Sequence, residues 1–350
     1  MTKKKWFWSL LFVVIAGLSI WAVSAQSKSF SLKELLSSIQ SSGKGWLFGG
    51  ILCMFGFIWL EGRALKCVSN AFGYPTTNRQ GFVYSSADIY FSAITPSATG
   101  GQPASAYFMI KDKIPGAVTT VILLINLIMY TLAILTVGLL GLILRPGIML
   151  HFSLVSKLLI LVGYIILLFL AWLFLMLLKQ PRLLYQICSF FLQLGKKLHM
   201  VKNINEKKKK LVKTMKEYSA CAKMISGQRK MLILAFVYNL LQRISQITVT
   251  VMVFMAMGNS PEQILDIWVT QAFVAIGTYS VPIPGGMGIA DFLLLDGLRG
   301  SFGLHESRIA TLELMSRSLS FYCCIIICAL AVLLGYVNVK RRKRKNDRNI

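Results

Sequence analysis

Six long apolar runs constrain this chain more than any other feature of its sequence. They cover residues 6–24, 46–67, 115–144, 154–178, 231–257 and 309–337. A helix needs ~20 largely apolar residues to cross the hydrocarbon core of a bilayer, and each run approaches or exceeds that length. A helix also satisfies its own backbone hydrogen bonds, which hydrocarbon cannot do. The sequence therefore predicts an all-α, polytopic membrane protein with about six full spans.

The basic residues give the orientation of these spans. The formal net charge is +25, and lysine and arginine concentrate at residues 3–5, 180–230 and 340–348. Such clusters flank the cytoplasmic ends of membrane helices. An even number of crossings places all three clusters, and both termini, in the cytoplasm. We do not expect nucleic acid as a partner, because no nucleic-acid-binding pattern accompanies the charge.

Two segments interrupt the apolar pattern with proline and glycine. They read ITPSATGGQP at residues 94–103 and YSVPIPGGMGIAD at residues 279–291. Basic residues on both sides of the first segment, Arg79 and Lys111, place both of its ends in the cytoplasm. The second segment follows a span that ends outside. We therefore expect two inverted re-entrant hairpins, each a helix broken at its tip.

The hairpins divide the chain into two units of opposite orientation. Each unit is a span, a hairpin and a span, over residues 46–144 and 231–338. Inverted repeats of this kind are typical of transporters, which bind substrate where discontinuous helices meet. The other predicted parts are an N-terminal transmembrane anchor (1–25), a connecting span (154–178), a basic cytoplasmic segment (179–230) and a basic cytoplasmic tail (339–350).

Within the basic cytoplasmic segment, apolar side chains recur at helical spacing over residues 211–225. Basic amphipathic helices of this type lie on anionic lipid. The alternative is a solvated linker between the two repeats.

The hairpin tips are the first part of a predicted binding site. Irregular backbone is tolerated at membrane depth only inside protein or beside water, and helix N-termini attract anions, including phosphate. The alternative is that the hairpins pack tightly without a ligand. The residues that we expect to bind substrate are Thr95, Ser97, Thr99, Gly100, Gly101 and Gln102 in the first hairpin, and Pro284, Gly285, Gly286 and Gly288 in the second.

Polar residues inside predicted spans complete this site. They are Gln242 and Arg243 in the fifth span, Glu313 and Arg317 in the last, and Asp291 after the second tip. A charge at the bilayer centre costs ~2.5–3.5 kcal/mol on insertion scales, so these side chains should face a bundle interior or a cavity. In one interpretation the two arginines hold an anionic head group, because guanidinium matches phosphate geometry. In the other they are structural, with Arg317 paired to Glu313 and Arg243 to Asp291.

Energy coupling and cofactors are constrained by what the sequence lacks. It contains no glycine-lysine loop for ATP, its three histidines are scattered, and its seven cysteines fit no disulfide framework. We expect no metal and no cofactor. Transport would then be downhill or driven by an ion gradient, with Asp88 and Asp291 as candidates for proton or ion coupling.

Together these motifs resemble the membrane region of bacterial lysylphosphatidylglycerol synthase/flippase proteins. The resemblance rests on ITPSATGGQPASAYFM, PIPGGMGIADFLL, Arg63 at the end of the second span, and Arg317 in SRSLSFY. It implies a multi-pass protein of the bacterial cytoplasmic membrane that moves aminoacylated phosphatidylglycerol between leaflets. It also implies a contribution to membrane charge and to resistance against cationic antimicrobial peptides.

In full-length members of that family, a separate soluble domain transfers lysine from charged tRNA to the lipid. This sequence continues after its last span only with KRRKRKNDRNI, and it shows no acyl-transfer constellation. We therefore expect a translocase whose main partner is an anionic or aminoacylated phospholipid, served by a separate lipid-modifying enzyme. The alternatives are phosphatidylglycerol lysyltransferase, as the family label implies, and a transporter for a soluble anion. The sequence is also compatible with a homo-oligomer.

Overall fold

A computed structural model describes residues 37, 39–95, 99–197, 204–281, 288–301 and 306–346. Within these ranges all regular structure is helical. The α-helices are α1 (Lys44–Ala71), α2 (Asn78–Ile94), α3 (Gly101–Lys111), α4 (Gly116–Leu144), α5 (Ile148–His151), α6 (Leu154–Lys179), α7 (Pro181–Lys197), α8 (Ile204–Met224), α9 (Arg229–Ala256), α10 (Ile264–Gly277), α11 (Ile289–Ser301), α12 (Glu306–Arg317) and α13 (Cys324–Asn346). A π-helical segment, Ser318–Cys323, joins α12 to α13.

Five helical segments are long and apolar enough to cross a membrane. They are Lys44–Ala71, Gly116–Leu144, Leu154–Lys179, Arg229–Ala256 and Arg308–Val339, the last of which combines α12, the π-helical segment and α13. They coincide with five of the six predicted runs, with ends that differ by a few residues. The all-α, polytopic fold is therefore confirmed. The first predicted span, residues 6–24, lies outside the described residues.

The outer surface of the bundle is apolar, as a bilayer requires. Along α6, large apolar side chains are more than half exposed, among them Leu158, Leu161, Ile165, Phe169 and Trp172. A water-soluble protein rarely presents an apolar surface of this extent. This side of α6 is therefore suited to contact with lipid tails.

The most extensive packing between two described helices is that of α1 with α9, and the two run antiparallel. At one end the Gly43 amide donates to the Ala256 carbonyl at 2.8 Å. Near the middle the Ser245 hydroxyl donates to the Cys53 carbonyl at 2.7 Å. A Cβ on Gly56 would lie 2.8 Å from the Ser245 oxygen, so glycine is what allows this separation. Small residues at such interfaces let membrane helices approach closely.

Around this pair, helices from one half of the chain pack against helices from the other half. α2 packs against α13, and α10 packs against α4. In each half, therefore, the helix that follows the central span packs against the closing span of the other half. Reciprocal packing of this kind is what an approximate two-fold axis through the antiparallel α1–α9 pair would produce.

Both predicted interruptions separate antiparallel helices. α2 ends at Ile94 and α3 begins at Gly101. The Tyr84 hydroxyl, near the start of α2, donates at 2.8 Å to the carboxylate of Asp112, directly after α3. The tip residues 96–98, and with them Ser97, lie outside the described residues.

The second interruption separates α10 from α11. A 3₁₀ turn, Thr278–Ser280, extends α10. Gly277 faces Leu293, and Gly297 faces Thr270, so α10 and α11 are also antiparallel. Residues 282–287, which include Pro284, Gly285 and Gly286, are not among those the structure describes.

The apolar side of α8 is covered by protein. Tyr218 is fully buried in a core cluster with residues of α4, and its hydroxyl donates to the Leu177 carbonyl at 3.0 Å. Burial raises the pKa of Tyr218 to about 12, so the hydroxyl remains a donor at neutral pH. At this residue the structure shows neither a lipid-facing surface nor a solvated linker, the two predicted alternatives.

Candidate functional site

A buried polar cluster lies where α1, α2 and α9 meet. Its side chains have exposed fractions below one tenth, although three of them are acidic or basic. They are Glu61 at 4%, Asp88 at 7%, Gln242 at 0% and Arg243 at 6%. Burying such groups is costly unless they are paired or hydrogen-bonded. The contacts that each of them makes therefore decide what the cluster can do.

Two glycines bring α1 and α2 close enough for this cluster to form. A Cβ on Gly81 would lie 2.5 Å from the Gly62 carbonyl oxygen. One turn along α2, the Ser85 hydroxyl donates to the Ile58 carbonyl at 2.9 Å. Gly81, Ser85 and Asp88 are spaced by four and then three residues, so they share one face of α2. That face points Asp88 at α1.

Asp88 also closes the N-terminal end of α3. Gln102 donates to one Asp88 carboxylate oxygen at 2.6 Å, and Ser92 donates to the other at 3.3 Å. A Cβ on Gly101 would lie 2.0 Å from Asp88 Oδ1, so only glycine fits there. The position that we predicted for an anionic ligand is thus taken in this structure by a carboxylate of the chain itself.

Thr95, next to this carboxylate, links the end of α2 to the start of α3 by two hydrogen bonds. Its hydroxyl donates to the Phe91 carbonyl at 2.6 Å and accepts from the Gly100 amide at 2.9 Å. Thr99 is exposed beside it. The predicted residues of the first hairpin that the structure describes therefore lie together around one helix junction.

Glu61 is a functional candidate that sequence reasoning missed. A position near the end of a span is typical of the membrane interface, but Glu61 is buried. Gln242 donates to its carboxylate at 2.8 Å, and its carboxyl group is in hydrogen-bonding contact with that of Asp88. An acidic residue in an apolar run was the signal that could have identified it.

Arg243 is held by aromatic rings. Its guanidinium carbon lies 3.9 Å from the ring centroid of Tyr130 and 5.2 Å from that of Phe57. One terminal nitrogen donates to Gln246, while the buried Nε has no hydrogen-bond partner in the described part of the chain. No described carboxylate lies within 4 Å of this guanidinium. The predicted pairing of Arg243 with Asp291 is therefore wrong.

A second polar group forms around Arg317. Its guanidinium contacts Asp291, and its Nε lies 4.0 Å from Glu313 Oε1. Asp291 in turn accepts from the Gly288 amide at 3.0 Å, at the beginning of α11. The predicted pairing of Arg317 with Glu313 is present, with Asp291 as an additional and closer partner.

An open cavity adjoins this second group. It has about 270 Å³ of empty volume, including the part open to its surroundings. Within the described residues, two buried oxygens in its lining, Gln271 Oε1 and Ser316 Oγ, have no hydrogen-bond partner. The cavity therefore offers polar atoms that a ligand could engage. Its polar lining residues are Thr250, Gln271, Asp291, Glu313, Ser316, Arg317 and Ser320.

One face of α9 connects the two groups. Arg243, Gln246 and Thr250 are spaced by three and then four residues, which places them on the same side of the helix. Arg243 contacts Tyr130, and Thr250 lines the cavity by Arg317. Seven residues correspond to roughly 10 Å along a helix axis. The hydroxyls of Tyr130 and Tyr279 lie 2.6 Å apart. This contact joins the same region to the 3₁₀ turn that extends α10.

The polar interior contains more acid than base. The two groups together hold the carboxyls of Glu61, Asp88, Asp291 and Glu313, and the guanidiniums of Arg243 and Arg317. If all were ionised, this region would carry excess negative charge in an apolar surrounding. Protons, or the ammonium groups of a ligand, can offset that excess.

Residues 6–328 match a family model described as "Lysylphosphatidylglycerol synthase TM region". The matched range covers most of the chain and contains both polar groups and the cavity. No curated protein and no solved structure gives a significant match.

Proposed function

Because the chain belongs to the family of lysylphosphatidylglycerol synthase membrane regions, we propose that it translocates a phospholipid between the two leaflets of a membrane. The observation that carries this proposal is the polar path inside an apolar bundle. An open cavity with Asp291 and Arg317 in its lining is linked along one face of α9 to Arg243. Lipid tails remain outside, against surfaces such as that of α6.

The charges of this path favour a head group that carries both signs. A phosphate would contact Arg317 or Arg243, since arginine is suited to phosphate. The ammonium groups of an aminoacylated head group would contact the surplus carboxyls. This supports a lipid such as lysylphosphatidylglycerol over phosphatidylglycerol itself, which brings only negative charge.

The predicted site residues retain proposed roles in this path. Gln242, Glu313 and the described residues of the first hairpin would contact the head group once Asp88 and Asp291 release their present partners. Asp88 and Asp291 are also our candidates for proton or ion coupling. The tip residues Ser97, Pro284, Gly285 and Gly286 belong to the proposed site through their motifs alone.

Alternating access would come from two inverted repeats, residues 46–144 and 231–338. The reciprocal packing of α2 on α13 and of α10 on α4 supports this division. Rocking of one repeat against the other about the α1–α9 pair would open the path to each leaflet in turn. We propose the bacterial cytoplasmic membrane as its location, with both termini in the cytoplasm.

Leaflet exchange in proteoliposomes tests this function. Labelled phosphatidylglycerol and its lysyl form are followed with the purified chain, with Arg243→Ala and Arg317→Ala variants. The matched control is Arg145→Ala, which removes an arginine from the outward-lying ion pair with Asp266. We expect wild type and control to exchange the lysyl lipid and both site variants to lose exchange. No exchange of either lipid by wild type would overturn the proposal.

Two other functions are tested alongside it. The family name raises lysyl transfer, which would appear as lysylated lipid on expression in a host that otherwise makes none. Saturable uptake of a soluble anion into the same vesicles, without lipid exchange, would point to a solute transporter.

A further inference from the structure

We infer that Glu61 and Asp88 form a proton-binding pair, in which two buried carboxyl groups share one proton and couple its movement to transport. The proton sharing follows from the geometry of the pair. The coupling rests on the proposed translocase function and deepens it by naming the driving ion.

The backbone forces the two carboxyl groups together. Gly62 and Gly81 place α1 and α2 in contact, and the side chains of Glu61 and Asp88 are in hydrogen-bonding contact between the two helices. Each is held from its other side by a neutral amide, Gln242 on Glu61 and Gln102 on Asp88. Amides orient carboxylates but cannot neutralise them. The pair therefore has little freedom to separate while these helices stay packed.

Two carboxylates in such contact cannot both be ionised at moderate cost. Like charges at this separation leave one group protonated, and the pair then titrates as a unit. The exposed fractions of 4% and 7% leave little water to screen the repulsion. A single proton between the oxygens turns this repulsion into a hydrogen bond.

The charged and titratable groups that face the pair also indicate one proton for the two carboxyl groups. From α9, Arg243 supplies one positive charge. The others are Tyr130 from α4 and Cys324 and Cys328 from α13, none of which can supply a positive charge. One arginine balances one carboxylate, so the second carboxyl requires a proton for neutrality.

Gln242 offers a place for that proton. Its side-chain oxygen is fully buried beside Glu61, and it has no hydrogen-bond partner in the part of the chain that the structure describes. Rotation of the amide would turn this oxygen toward a protonated Glu61, whereas the present orientation donates to an ionised one. Gain or loss of the proton would thus change how α1 is bonded to both α9 and the first hairpin.

Infrared difference spectroscopy tests the shared proton without any assay of transport. We expect the wild-type protein in lipid to show a protonated-carboxyl band at neutral pH. Glu61→Gln and Asp88→Asn should each lower that band by one carboxyl group, because the remaining carboxylate is then balanced by Arg243. Glu262→Gln, at an exposed position, should leave the band unchanged. No difference between wild type and either variant of the pair would overturn the inference.

A pH gradient across proteoliposomes tests the coupling. For one proton per lipid, a difference of one pH unit should bias the leaflet distribution of lysylphosphatidylglycerol by up to about ten-fold. Glu61→Gln should lose this bias in whatever exchange it retains at equal pH, and the exposed control Glu262→Gln should keep both exchange and bias. Exchange that ignores the pH gradient, or follows a sodium gradient instead, overturns the coupling and leaves the translocase standing. No exchange at equal pH overturns the function and the coupling together, while the infrared result still decides the shared proton.

Discussion

Arg243 lies over the ring of Tyr130, with its guanidinium carbon 3.9 Å from the ring centroid. A buried arginine normally acquires a carboxylate, and none of the described ones lies within 4 Å of it. The ring stabilises the cation through its negative face, by about 2 kcal/mol where water is excluded. The charge is therefore held inside the bundle without direct contact with a carboxylate, which suits a residue that must attract and then release a ligand.

This contact predicts a difference between two substitutions at Tyr130. Tyr130→Leu removes the ring and should lower both stability and lipid exchange, because Arg243 loses its stabilising contact. Tyr130→Phe keeps the ring and loses only the hydroxyl contact with Tyr279, so its effect should be smaller, about 1 kcal/mol. Thermal unfolding in detergent and leaflet exchange measure the two effects. Equal losses in both variants would show that the hydroxyl matters more than the ring.

Gly101 should not tolerate alanine. The added Cβ would lie 2.0 Å from Asp88 Oδ1 and 2.1 Å from Ser92 Oγ, so α3 would have to move away from α2. We expect a destabilisation of about 1–3 kcal/mol and faster amide hydrogen exchange at the start of α3. Gly147→Ala is the matched control, since no atom lies within 4 Å of its added Cβ. A normal melting temperature for Gly101→Ala would contradict the close contact.

The Arg317 group should show strong coupling between its members. Arg317→Gln leaves Asp291 and Glu313 facing each other without a cation, so the single variant should be severely destabilised. Adding Asp291→Asn removes one of the two carboxylates and should restore part of the loss. A double-mutant cycle from thermal unfolding should give a coupling energy of about 1–3 kcal/mol. Strictly additive effects would mean that the ion pair contributes little.

A cellular effect should accompany the proposed function. In a bacterium that already makes lysylphosphatidylglycerol, expression of this chain should place more of the cationic lipid in the outer leaflet. Lower binding of a cationic peptide to intact cells, and lower killing by it, are the measurements. Arg243→Ala should abolish the effect at equal expression. Protection by that variant as strong as by wild type would separate peptide resistance from the polar path.

The spans and the two interruptions were predictable because each depends only on a short stretch of sequence. Twenty consecutive apolar residues predict a membrane helix, and a proline beside two glycines predicts a break in a helix; neither prediction needs knowledge of distant contacts. The pairing of Glu313 with Arg317 was predictable for the same reason, since residues four apart meet on one helix face. The structure adds Asp291 to this pair through the start of α11.

The first polar group was not predictable in the same way. Glu61 lies near the end of its span, a position typical of the membrane interface, but its environment depends on how closely α2 packs. The separation of α1 and α2 is set by Gly62 and Gly81, which face each other. Neither glycine belongs to a motif that the sequence alone would identify. The aromatic neighbours of Arg243 also come from distant helices. Contacts between distant segments, rather than local patterns, determine where the buried charges lie.

The π-helical segment Ser318–Cys323 determines which surfaces the last span can present. A π-helical insertion adds one residue to the turn, so the helix beyond it is rotated by about 100° relative to an uninterrupted α-helix. Before the insertion, α12 packs with α9 and α11 and holds Arg317 at the cavity; beyond it, α13 packs against α2. One continuous span therefore contacts both hairpins, because its two parts are rotated relative to each other about the helix axis. Deletion of a single residue from this segment would restore a uniform phase and turn one of those two faces away from its partner.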